Sequence, residues 1–283
     1  MRKVITFRKT LMGPSSARRV LLVWLASCLC ACAQGGSDQP TPEAARRFLK
    51  LRGYEFDIKS FFAAAAAGDE IAVNGFLSAG MNPNEKNQDG DTVLTAAAAR
   101  GDLKTVSVLI KGGGDVNAKG RNNWTALLLA LQDKQDAVSE VLLARNDVDL
   151  KAETPEGMTA LMIAVWTQKS QFVRAMLDRR ADVNHQDKDG DTALHGAALN
   201  GDVRLLQMLL DHGASPNVKN KLGGTALMWA ASYGYDEAIQ IMLNKGADPR
   251  IKDVDGLTAA GWAAKNGRGN LVKILRAAEK NRQ

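Results

Sequence analysis

The chain has 283 residues, enough for one elongated domain or two small globular ones, and is 45% apolar and 24% charged with only 5% aromatics. Abundant alanine and scarce aromatics point to closely packed helices and away from an all-β core, which draws on aromatic and β-branched side chains. The formal net charge of +6 resides in residues 1–33, where Arg2, Lys3, Arg8, Lys9, Arg18 and Arg19 occur without an acid; 37 basic and 31 acidic side chains thereby become 31 against 31 in the rest, which gives no electrostatic footprint for nucleic acid.

Residues 1–33 read as a signal peptide. A basic stretch ends at Arg18-Arg19, and Val20-Leu21-Leu22-Val23-Trp24-Leu25-Ala26 opens an apolar run that continues through small residues to Ala33. The apolar stretch is short for a bilayer, which takes a helix of about 20 residues. Processing has competing readings. Ala31-Cys32-Ala33 has the small-x-small form that precedes cleavage after Ala33, whereas Leu25-Ala26-Ser27-Cys28 and Leu29-Cys30-Ala31-Cys32 have the form of bacterial lipoboxes, cut before a cysteine that takes a lipid. An uncleaved N-terminal anchor is a third reading, and the residues after Arg18-Arg19 match a twin-arginine signal poorly. Cys28, Cys30 and Cys32 are all the cysteines of the chain, so the remainder forms no disulfide and has no thiolate ligand. The expectation is an exported bacterial protein, periplasmic or held at a membrane through a lipidated Cys28 or Cys32.

Residues 34–41 have the composition of a flexible linker. Thr41-Pro42-Glu43 is a helix start, with a threonine N-cap, proline in the first turn and then an acid; it opens a capping helix assigned to 42–55. From residue 56 the chain repeats. Threonines at 92, 125, 159, 192, 225 and 258 sit in Asp-Gly-x-Thr-Ala-Leu-like segments spaced 33, 34, 33, 33 and 33 apart. The fullest copy runs Asp189-Gly190-Asp191-Thr192-Ala193-Leu194-His195-Gly196-Ala197-Ala198, then Leu209-Leu210-Asp211-His212-Gly213-Ala214. A degenerate copy precedes them, with Ala67-Gly68-Asp69 placed 33 before Arg100-Gly101-Asp102.

The periodicity specifies two short helices per copy. Leu94, Leu127, Leu161, Leu194 and Leu227 share one phase of the first. Pairs such as Leu109/Ile110, Met176/Leu177 and Leu209/Leu210, preceded by Val106, Val173 and Leu206, mark the buried face of the second. Glycines 113, 213 and 246 follow the second helix, where a left-handed cap is needed. Neither helix pair can bury its apolar face alone, so neighbours must stack. Polar Arg276, Glu279, Lys280 and Arg282 suit a terminal helix.

These segments resemble the ankyrin repeat family, whose signature opens Thr-Pro-Leu-His-x-Ala-Ala and closes Leu-Leu-x-x-Gly-Ala. The resemblance covers residues 56–283 and implies an all-α solenoid of about seven helix-pair repeats joined by β-hairpin-like loops. Several positions depart from the pattern. The motif proline is Val or Ala in every copy, and only His195 keeps the histidine. Asn146 stands where a capping glycine is expected, Lys134 and Gln168 replace the glycine that ends the first helix, and the loop around Lys151–Glu156 is about two residues longer. The middle of the stack, residues 122–180, is the least regular part.

Candidate chemistry is thin. His195 holds the family's structural position, His212 ends a helix, and His185 lies in a loop, so their repeat phases do not converge on a metal. Asp187-Lys188-Asp189-Gly190-Asp191 lacks the downstream glutamate and length of a calcium loop and reads as a hairpin whose Asp-Gly supplies the turn. Gly112-Gly113-Gly114 is not followed by the Gly-Lys-Ser/Thr of a phosphate loop and aligns with helix caps. No cofactor is implied. By the resemblance, partner contacts come from the residue before each threonine and from the seventh and eighth after it. Among those slots Arg100, Trp124, Met158, Trp166, Leu199 and Tyr233 are the partner-binding candidates, because exposed Trp and Met on a concave surface suit a binding hot spot. Trp229 and Trp262 are assigned to packing between repeats. The leading expectation is an extracytoplasmic, monomeric protein-interaction module that is not an enzyme. The alternatives are a lipid-tethered spacer and an atypical enzyme using Asp91, Arg100 and Asp133.

Overall fold

The computed structural model describes residues 40–281. The leader with its three cysteines, and the linker up to residue 39, lie outside that range. Helix α1 (Pro42–Leu51) precedes seven helix pairs: α2 (Ile58–Ala66) with α3 (Glu70–Ser78), α4 (Val93–Arg100) with α5 (Leu103–Lys111), α6 (Ala126–Gln132) with α7 (Asp136–Leu143), α8 (Ala160–Trp166) with α9 (Ser170–Asp178), α10 (Ala193–Asn200) with α11 (Val203–Asp211), α12 (Ala226–Tyr233) with α13 (Asp236–Asn244), and α14 (Ala259–Lys265) with α15 (Gly269–Asn281). None of these is long and apolar enough to cross a membrane.

The helix boundaries follow from capping chemistry. From α4 onward each first helix begins at one of the repeat threonines; Thr92 Oγ1 accepts the Thr95 N–H at 3.2 Å, filling one of the orphan donors of the first turn. Asp69, Asp102 and Asp202 do the same for α3, α5 and α11. Between the two helices of each pair one residue takes a left-handed conformation: Gly68, Gly101, Lys134, Gln168, Gly201, Gly234 and Gly267. Lys134 (φ 57) and Gln168 (φ 60) are forced into it at the positions where the other copies have glycine.

The core is a continuous row through the stack. Leu94, Leu127, Leu161, Leu194 and Leu227 are each 1% exposed, and Val106, Val173, Leu206 and Ile239 are fully buried. From α4 onward, first helices pack more closely on one another along the stack than second helices do. Their alanines, such as the buried Ala97-Ala98 and Ala230-Ala231, permit that approach. At the N-terminal end α1 packs on α3, with Leu49 so near Gly75 that a Cβ there would lie 3.2 Å from Leu49 Cδ2. Beside it Tyr54, Phe56 and Phe61 surround Phe76 with ring centroids 5.3–6.2 Å away.

The connections are not β-hairpin-like. Among the described residues there is no strand, only isolated bridges at Lys86–Thr92 and Glu153–Thr159. Each loop is instead a tight turn closed on one residue, as where Asp187 N–H donates to Asp191 C=O (2.9 Å) and Asp187 C=O accepts from Gly190 N–H (2.9 Å), or where Asn220 N–H donates to Gly224 C=O (2.9 Å) and Asn220 C=O accepts from Gly223 N–H (2.8 Å). Other loop N–H groups are engaged by side chains or by the neighbouring loop. The side chain of Asp187 accepts the N–H groups of Asp189 and Asp191, both at 2.9 Å. Further N–H groups bond to the preceding loop: Lys188 to Glu156 C=O (2.9 Å), Lys221 to Asp189 C=O (2.8 Å) and Val254 to Leu222 C=O (3.0 Å). The ladder therefore runs from repeat to repeat, not within a hairpin. The loops touch so closely that a Cβ on Gly190 would lie 3.0 Å from Asn220 Cα.

Asparagines add a second series of links. Asn84, Asn117, Asn184 and Asn217 accept the N–H groups of Asp115, Asp149, Ser215 and Asp248 in the next repeat, all at 2.7–2.8 Å. Lys151 occupies the corresponding slot in the middle copy, eight residues before Thr159, and its ammonium cannot accept an N–H, so that link is missing. Arg179 spans the same junction, donating to Leu143 C=O at 2.8 Å and, at 3.4 and 3.5 Å, to Asn146 and Val148. The expected left-handed cap at Asn146 does not form: Asn146 is not among the positive-φ residues, and α7 ends instead in Ala144 with helical angles. The connection after α7 runs 144–159, two residues more than 112–125 or 179–192. The guanidinium of Arg179 serves carbonyls that a glycine cap would otherwise have satisfied.

A cleft at mid-stack

The first helices α8, α10 and α12, with the loops before α8 and α10, enclose a cleft of about 260 Å³. Its lining includes Met158, Trp166 and Leu199 of the sequence candidates, together with Met162, Trp229 and the polar Asp187, Asp191 and His195. Met158 is placed by the turn that Thr154 N–H closes on its carbonyl at 3.0 Å. Trp166 ends α8 and is 52% exposed, while Leu199 is held one position before the end of α10.

The other candidates lie outside this lining. Trp124 is half-buried against the core. Tyr233 is exposed and stacks on Tyr235 with ring centroids 6.0 Å apart. Arg100 reaches back to donate to Ala65 C=O at 3.1 Å, a link between repeats. The three residues of the enzyme alternative are scattered: Asp91 pairs with Arg121 at 3.2 Å, Arg100 is engaged as above, and Asp133 is exposed at the end of α6. Trp262 packs and donates its indole N–H to Asp253 at 2.7 Å.

Sequence reasoning missed Met162 and the second role of Trp229, which is half-buried between repeats and also walls the cleft. The available signal was Gly196. Four residues after each repeat threonine the later copies carry Ile163, Gly196, Trp229 and Trp262, and the one missing side chain opens the space that Trp229 borders.

The histidines are each fixed to backbone. His195 Nδ1 accepts the Thr192 N–H at 3.1 Å, and its Nε2 lies 3.3 Å from Gly224 C=O, so the Nε2–H tautomer links two repeats. Burial pushes the His195 pKa below its ordinary value, opposed by the nearby Asp191 and Asp187 carboxylates, and the ring is neutral at pH 7. His185 Nε2 lies 2.9 Å from Gly157 C=O, and His212 Nδ1 lies 2.8 Å from Met208 C=O. Among the described residues no three His, Cys, Asp or Glu side chains converge where they could hold a metal ion. Gly113 (φ 86) caps α5 within the glycine run.

Comparison with known proteins agrees with this architecture. The family model described as ankyrin repeats matches residues 61–153, 139–220 and 194–283. An ankyrin repeat-containing protein of Treponema pallidum is 30% identical over 151 residues, covering 53% of this chain and 50% of that protein. An ankyrin repeat protein of Rickettsia felis is 28% identical over 134 residues, covering 47% and 44%. The aligned part thus spans no more than half the length of either curated relative. Among solved structures, the ankyrin repeat domain of Bcl-3, a member of the IkappaB protein family, superposes with a TM-score of 0.63 at 29% identity, covering 72% of this chain and 92% of that one. An ankyrin repeat domain from Acinetobacter baumannii does so at 0.61 with 27% identity, covering 65% and 96%. The threonine-capped helix pairs, their left-handed corners and the matched family model together place this chain in the ankyrin repeat family.

Proposed function

We propose that the protein is a non-catalytic binding module that presents the first-helix side of its stack, centred on the mid-stack cleft, to a partner protein. The observation that carries this is the exposure of Trp166 beside Met158 and Leu199. Trp166 and Tyr233 are two of only four large apolar side chains exposed among the described residues, and both end first helices. An indole left half in water on a rigid surface contributes to binding through the area it can still bury.

The experiment is site-specific photocrosslinking in the native cell. A crosslinker at Trp166 or Leu199 should trap a partner that one at Glu140 or Arg174, exposed on second helices, does not. Trapping from the second helices alone would place the binding face on the wrong side.

The proposed site of action is outside the cytoplasm, as a monomer. Support comes from the basic-then-apolar leader at 1–33, ending in a cysteine-containing processing region. Two routes follow from it: release after Ala33, or a lipid on Cys28 or Cys32 that tethers the stack to a membrane as a spacer. Mass spectrometry of the mature N-terminus distinguishes them. An N-terminal Gln34 supports release, a diacylated cysteine supports the tether, and an intact Met1 argues against both.

A further inference from the structure

We infer that the cleft is built to take a lysine or arginine side chain from a segment of the partner, its stem lying along the apolar floor and its head reaching the carboxylates of Asp187 and Asp191. This rests on the protein-binding reading above and sharpens it to a class of partner.

Asp187 and Asp253 hold the same place in two copies, each five residues before its threonine, and both use one oxygen to accept two loop N–H groups. The other oxygen of Asp253 accepts the indole N–H of Trp262 at 2.7 Å. The position matching Trp262 in the cleft copy is Gly196, so no such donor is present for Asp187. The cleft is the space a large side chain fills in the last repeat, beside a carboxylate that there receives an N–H.

Turns of this type work without a charge: Asn87 and Asn220 occupy the same place and accept the same pair of N–H groups at 2.9–3.1 Å. The negative charge of Asp187 is therefore not required by the turn. Neither Asp187 nor Asp191 has a salt-bridge partner among the described residues, and Asp191 receives only an amide, from Asn220 at 2.9 Å. His195 sits between them and the core as a neutral ring. Two carboxylates at the edge of a floor of thioethers and indoles attract a cation both directly and through the indole faces.

At about 260 Å³ the cleft is smaller than the roughly 300–1,000 Å³ of sites that enclose whole organic ligands. It fits one long side chain whose parent segment lies across the surface.

The test uses dye-labelled, end-capped peptides with one arginine between two leucines, and versions in which the arginine is lysine, tryptophan or the uncharged isostere citrulline. Binding to the purified full chain is read by fluorescence anisotropy. The arginine and lysine peptides should bind saturably, and citrulline about two- to fivefold more weakly. Asp187→Asn, whose turn is already made by asparagine in two other copies, should erase that difference. Gly196→Trp fills the cleft from within and should abolish binding; circular dichroism reports whether it folds, and Trp166→Ala serves the same purpose from the exposed side. Equal affinity for arginine and citrulline, preference for tryptophan, binding indifferent to these variants, or no saturable binding would each overturn the inference. A partner still crosslinked at Trp166 under any of those results would leave the protein-binding function standing with a different partner chemistry.

Discussion

The copies that contain α6 to α9 and those that contain α10 to α14 share one backbone and solve it by different means. In the later copies Gly201, Gly213, Gly234 and Gly246 take the left-handed corners, and Asn184 and Asn217 link successive loops. In the middle, Lys134, Gln168 and Arg180 adopt left-handed angles without being glycine, Lys151 replaces the linking asparagine, and Arg179 spans the gap with one guanidinium. The backbone path is thus set by stacking, and local preference is overridden wherever neighbours on both sides dictate the corner. The override has a local cost, because a side chain in the left-handed region is disfavoured by about 1–2 kcal/mol. The middle is accordingly the weakest part of the stack, and it is also the part that forms one wall of the cleft.

Substitutions can break this contrast or sharpen it. The largest effect is expected from Leu161→Ala, which empties a fully packed position in the middle and should cost about 2–5 kcal/mol in urea denaturation. Because each repeat touches only its neighbours, this variant should also split the transition into two steps; a single sharp transition would show the halves to be more tightly coupled than the contrast implies. Arg179→Ala comes next. It strips a charged donor from the Leu143 carbonyl and should lower stability by about 1.5–3 kcal/mol, with amide exchange rising first between residues 143 and 150. In the opposite direction, Lys134→Gly and Gln168→Gly should each raise stability by about 0.5–1 kcal/mol and make the middle resemble the later copies. Loss of stability in both would show that the corners are not strained.

The smallest effect is a pH dependence confined to one copy. The His195 ring titrates near 6.5 when unfolded and lower when buried. Between those values the unfolded chain binds a proton that the folded one does not, so stability falls as pH drops below about 6.5 and levels off once the folded ring titrates. Replacing His195 with threonine, which makes the equivalent cap at Thr95, should remove that slope. An unchanged slope would assign it to other groups.

Much of this architecture is legible in the sequence because apolar side chains must recur wherever the same interface recurs. The leucines two residues after the repeat threonines are buried as their phase requires, and the displaced glycines at 134 and 168 mark the corners that remain left-handed. The loops were misjudged, since an Asp-Gly turn between short arms signals a hairpin only if its arms pair with each other. Here the arms pair no further than the single bond from Asp187 N–H to Asp191 C=O, and the N–H groups of Lys188 and Lys221 go to the neighbouring copy, which a single copy's sequence does not reveal. Asn146 failed as a cap for a related reason: Arg179, 36 positions beyond Leu143, supplies the donor to the Leu143 carbonyl. The cleft was legible only in part. Met158, Trp166 and Leu199 stand at outward-facing slots, but the cleft owes its depth to Gly196, an absence that carries meaning only beside Trp229 and Trp262 in the next two copies.

The loop-to-loop hydrogen bonds give the molecule a mechanical character. Each junction between copies is a narrow seam of a few hydrogen bonds and one layer of side chains, loaded in series along the stack. Tension applied along the stack axis, as on a chain tethered at its N-terminus and held by a partner at its far end, would act on these seams one at a time. The seam bridged by Arg179 should part before its neighbours. Every copy then released adds up to about 110 Å of slack, from 33 residues at roughly 3.3–3.6 Å each. The stack would therefore lengthen in steps under load, as a spring with a chosen first coil.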